Sequence, residues 1–208
     1  MKKASIQKLI SALCLASALA GVLIMYRQSF AGKGSQNLLA RNIDFFGYFT
    51  IQSNIMAALI AASLLFSRKV PSAALRSAVL LYILITGSVY ILVLRTAWAP
   101  IGWSLAGDLL LHYATPLLYL LLWLLQRGQG GLKRSFFLYI NVYPILYLMF
   151  TLIKGAILHK YPYPFINVDQ LGLTAALANS ALLCLSMIVL AIPIYFYNNF
   201  SKRRQESP

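Results

Sequence analysis

The sequence predicts an all-α polytopic membrane protein, a six-transmembrane-helix bundle with both termini in the cytoplasm. Two observations predict the bundle. The 208 residues are 60% hydrophobic and only 11% charged, with a mean hydropathy of +0.73. A soluble domain needs more charge to cover its core. The chain also divides into six apolar stretches of about 20 residues, the length that crosses a bilayer. The connectors between them are short, so residues 1–208 read as a single six-helix membrane domain. Helix is expected throughout, because lipid offers no partner for exposed backbone polar groups.

The first span covers about 9–25, after the basic start Met1-Lys2-Lys3. It resembles a signal peptide, with small residues at Ala18-Leu19-Ala20. The apolar run continues through Val22-Leu23-Ile24-Met25, which favours a retained span over a cleaved one. Further spans are expected at 45–66, 77–94, 109–125, 136–153 and 171–195. The loop after the fifth contains Tyr161-Pro162-Tyr163-Pro164-Phe165, a stiff aromatic stretch suited to the headgroup zone. It reads as an interfacial anchor or as a lid.

Charge supplies the orientation. Lys2, Lys3, Lys8, Arg68, Lys69, Arg76, Arg127, Lys133, Arg134, Lys202, Arg203 and Arg204 fall on one side. Arg27, Lys33, Arg41, Arg95, Lys154 and Lys160 fall on the other. The richer side is cytoplasmic by the positive-inside rule, which puts both termini there. The net charge of +14 therefore reads as membrane topology, and nucleic acid is not expected as a partner. Cys14 and Cys184 lie within spans as small hydrophobes. No metal-ligand spacing or phosphate loop is present, and no cofactor is expected. Asp44, Asp108 and Asp169 each precede an inward-running span, where a carboxylate caps orphan N–H groups.

Polar groups inside spans are costly and face the bundle interior, so they point to function. Thr50, Ser53 and Asn54 share one face of the second helix at i, i+3 and i+4. Asp108 and His112 share a face of the fourth, followed by Thr115 and Pro116. Thr50 lies five residues past Phe45 and His112 four past Asp108. At about 1.5 Å per residue both are expected in one layer, roughly 6–8 Å below the outer boundary. Thr50 with His112 makes a hydroxyl and a base, with Asp108 able to orient the imidazole. Ser53 and Asn54 are candidate oxyanion donors. Arg95, Lys154 and Tyr90 are candidates for a substrate headgroup, although such cations also snorkel to lipid phosphates. Serine and threonine in membrane helices often only bond their own backbone. Asp108 is equally readable as a cap.

Phe45-Phe46-Gly47-Tyr48-Phe49-Thr50-Ile51-Gln52-Ser53-Asn54 resembles the signature of bacterial six-helix membrane proteins with a Phe-Thr-x-x-Ser-Asn core. Asp108-x-x-x-His112 with Pro116 is a second matching block, and Tyr161-Pro162-Tyr163-Pro164-Phe165 a third. The set is similar to the androgen-induced (FAR-17a-like) membrane proteins, atypical threonine hydrolases that cleave fatty acid esters of hydroxy fatty acids. The resemblance implies Thr50 as nucleophile and His112 as base, membrane lipids or lipid-like esters as partners, and the bacterial inner membrane as location. Ser53-Asn54 belongs to the bacterial pattern alone, so the oxyanion role does not come with it. Two other readings stay open: a small-solute transporter or channel, and a non-catalytic lipid-binding protein. The transporter lacks a deep carboxylate relay and repeated halves.

Overall fold

The computed structural model describes residues 2–31, 37–67, 69–96, 98–126 and 130–206, without the side chains of residues 2 and 203–206. These residues form helices α1 (Lys2–Phe30), α2 (Leu38–Phe46), α3 (Phe49–Phe66), α4 (Ala73–Val89), α5 (Gly102–Leu109), α6 (Thr115–Leu125), α7 (Phe136–Leu158), α8 (Val168–Leu171) and α9 (Leu173–Glu206). A π-helical turn, Tyr90–Leu94, extends α4, a second, Leu110–Ala114, joins α5 to α6, and a 3-10 turn spans Pro164–Ile166. No strand occurs among the described residues. Six helices are long and apolar enough to cross a membrane: Lys3–Phe30, Phe49–Phe66, Ala73–Leu94, Gly102–Leu125, Phe136–Leu158 and Leu173–Lys202. The chain is an all-α polytopic membrane protein.

Several expected boundaries move, each for a local reason. The second span starts at Phe49 rather than residue 45. Phe45 and Phe46 end α2, and Tyr48, in an extended conformation, opens α3. The Gln52 amide reaches back 2.6 Å to the Phe46 carbonyl and so satisfies an orphan acceptor at the end of α2. Asp44 accordingly lies in the last turn of α2. The fourth span starts at Gly102, so Asp108 sits six residues inside it, 1% exposed, and is no terminal cap. Asp169 lies in the first turn of α8, whose cap is Asn167, and Gly172, at φ 77°, separates that turn from α9. The fifth helix continues past Lys154 to Leu158. Arg76, expected in a loop, lies in the first turn of α4, buried, with a guanidinium nitrogen 2.5 Å from the Gln126 side-chain oxygen. Lys33, Arg68 and Arg127, part of the charge asymmetry, lie outside the described residues.

The described chain comprises two compact units, Met1–Gly131 with Asn198–Pro208, and Leu132–Tyr197. In the first, α1 packs along α3 and along the fourth span. Cys14 and Ala18 are fully buried on its inner face, and Ser17 bonds Thr115 at 2.9 Å. An apolar cluster of Phe45, Ile51 and Leu111, with Val22, Met25, Tyr26 and Ile55 against it, fills one end. In the second unit, α7 ends at His159 in the left-handed conformation (φ 51°), and its imidazole pairs with Asp169 at 3.0 Å. The Tyr161 ring lies so close to Gly155 that no larger residue fits there. Asn179 holds the aromatic loop through the Phe165 carbonyl at 2.9 Å.

Candidate functional site

Thr50 and His112 meet inside the first unit. The Thr50 hydroxyl is 3.5 Å from His112 Nε2, the long end of hydrogen bonding and a common spacing in catalytic pairs before substrate closes them. Thr50 is the second residue of α3, where the macrodipole of an 18-residue helix favours developing negative charge. His112 comes from the middle of the π turn Leu110–Ala114. Such wide turns insert a residue into a helix and re-aim its side chains. The shared layer therefore arises by a different route from equal depth below two helix starts: Thr50 is at the top of its helix and His112 ten residues into its span.

Asp108 and Tyr90 hold the imidazole. His112 Nδ1 lies 3.1 Å from the Asp108 backbone oxygen and 3.1 Å from its Oδ1. Both are acceptors, so Nδ1 carries a proton, and in the neutral imidazole Nε2 then presents its lone pair to Thr50. The Asp108 side chain is 2% exposed and that of His112 10%, so the ion pair formed when His112 gains a proton is little screened. Asp108 Oδ2 has no hydrogen-bond partner. The Tyr90 ring stacks on the imidazole, with centroids 3.9 Å apart and planes 12° apart. Tyr90 begins the other π turn, closed by the Arg95 N–H on the Tyr90 carbonyl at 2.8 Å. Thus Tyr90, expected as a headgroup contact, is packed and 4% exposed against the histidine.

The remaining candidates separate. Ser53 is fully buried, donates to the Thr50 carbonyl at 3.1 Å and bonds Thr86 at 2.9 Å. Asn54, also fully buried, gives its amide to the carbonyls of Thr50 (2.8 Å) and Leu111 (3.2 Å). Both side chains tie helices together rather than offering donors to an oxyanion. Arg95 is exposed beyond the π turn. Lys154 belongs to the second unit, where it is buried four residues before the end of α7. At the start of α3, burial and then the Asp44 carboxylate push the Tyr48 phenol above its usual range, so it remains a donor.

Sequence reasoning missed Thr86, Gly87 and the two π turns. Gly87 lets the His112 carbonyl approach to where a Cβ would be 2.9 Å away. Pro116, one turn past the histidine, was the available signal for a disturbed helix. No group of three metal-ligating side chains occurs among the described residues. Comparison with known protein families, with curated proteins and with solved structures finds no match to this chain.

Proposed function

We propose that this membrane protein is an intramembrane lipid-ester hydrolase that uses Thr50 as nucleophile and His112 as base. One observation carries the proposal: a buried hydroxyl faces Nε2 of an imidazole whose other nitrogen is held by a buried carboxylate. The resemblance of the Thr50 and His112 motifs to threonine hydrolases supports the same roles. Fatty-acyl esters, such as fatty acid esters of hydroxy fatty acids, are the substrates in this reading, entering from the lipid. The bacterial inner membrane is the location, with both termini cytoplasmic.

Thr50 Oγ1 attacks the acyl carbonyl while its proton passes to His112 Nε2. The imidazolium, paired with Asp108, then protonates the departing alkoxide, leaving an acyl-threonine. Water attacks that ester with Nε2 again as base, releasing the fatty acid and restoring the hydroxyl. The first turn of α3 favours the oxyanion through its dipole. General-base assistance of this kind contributes about 10²–10⁴-fold.

A fluorophosphonate probe tests the reading. Wild-type protein in lipid nanodiscs should take one phosphonyl group on Thr50, located by peptide mass. Thr50→Ala and His112→Ala should abolish labelling. Labelling that survives both substitutions would remove the proposal.

A further inference from the structure

We propose that Asn54 is a positioning residue that stands in for the backbone N–H missing at Pro116 and thereby sets the turn that aims His112. The role rests on the hydrolase reading only for its consequence in catalysis; the geometry is independent of it.

In the π turn, carbonyls pair with N–H groups five residues on, and the Thr115 N–H bonds Leu110 in this register. The next pairing would join the Leu111 carbonyl to residue 116. Proline has no N–H to give. Leu111 is 1% exposed, so its carbonyl has no recourse to water, and an unpaired acceptor there is costly. The Asn54 amide, arriving from α3, donates to that oxygen at 3.2 Å. Its second proton goes to the Thr50 carbonyl at 2.8 Å. The amide therefore spans the residue before His112 and Thr50 itself. It ties the helix of the nucleophile to the turn of the base across 57 residues of sequence. The assignment of nitrogen over oxygen is set by the two carbonyls, since both contacts require donors.

Restoring an N–H at position 116 should make Asn54 dispensable, which gives the test a suppressor. Full-length protein labelled with 15N-histidine is placed in nanodiscs in a His159→Gln background, leaving His112 as the one histidine of the two. Asn54→Ala should displace the His112 imidazole resonances and slow fluorophosphonate labelling about tenfold to a hundredfold, the usual cost of a misplaced group. Pro116→Ala alone is the reference for the double variant, because the N–H it restores can pair with the Leu111 carbonyl where the register of the π turn is kept. Asn54→Ala/Pro116→Ala should return both readouts close to those of Pro116→Ala. An Asn54→Ala protein that does not fold, beside a double variant that folds with the Pro116→Ala spectrum, supports the same conclusion. Unchanged imidazole resonances in Asn54→Ala overturn the proposal. So does a double variant as perturbed as Asn54→Ala, folded or not. If the resonances follow the expected pattern while wild type takes no label, the hydrolase reading fails and the positioning role stands.

Discussion

Asp108 shows how much a few residues of helix change the meaning of a side chain. At a helix start it would be a solvated cap; six residues inside the span it is a buried carboxylate with one oxygen on His112 and the other unpartnered. In the proposed reaction its charge both orients the imidazole and stabilises the imidazolium. Asp108→Asn keeps the shape but can donate to Nδ1, which allows the tautomer with a proton on Nε2. That tautomer cannot accept from Thr50. Labelling of Thr50 should therefore slow by about 10²–10⁴-fold. Thermal stability should hold or rise, because the substitution removes a buried charge that is incompletely paired. Equal labelling rates for Asp108→Asn and wild type would make the carboxylate a bystander.

Between elements, close approach decides the site. Gly87 on α4 faces the backbone oxygen of His112, and an added Cβ would lie 2.9 Å from it, with Pro116 next at 3.5 Å. A backbone oxygen inside a packed turn cannot swing away. Gly107 on α5 meets the Cγ and sulfur of Met25 at the same 2.9 Å and Ile24 Cγ2 at 3.1 Å, side-chain atoms rather than backbone. Gly87→Ala should thus destabilise by about 1–3 kcal/mol and slow Thr50 labelling, while Gly107→Ala should cost less and leave labelling closer to wild type. Thermal unfolding followed in detergent, with the labelling rate alongside, checks the contrast. The pairing of two π turns follows the same logic. Tyr90 opens one and His112 occupies the other, so each helix gives up regular pairing where its ring must face the neighbour's.

For the whole molecule, the charge asymmetry makes a topological prediction. A cysteine replacing Tyr163 should react with an impermeant maleimide applied outside intact cells, whereas one replacing Ser201 should react only after permeabilisation. The opposite pattern would invert the orientation. The sequence by itself determined the six spans, because a bilayer demands about 20 apolar residues per crossing and this composition supplies six such runs. It also marked Thr50, His112 and Asp108, since polar groups within apolar runs are rare enough to stand out. Helix starts were less legible. Gly47-Tyr48 breaks a stretch that is apolar on both sides, and Gly102 opens a span before its most apolar part. Hydropathy does not register a change of backbone direction. Only the tertiary structure decided that Thr50 faces His112, that Tyr90 stacks on it, and that Ser53 and Asn54 bind helices together. Those outcomes depend on hydrogen bonds between residues 33 to 62 positions apart and on π turns that re-aim side chains, neither of which a local pattern of polarity contains.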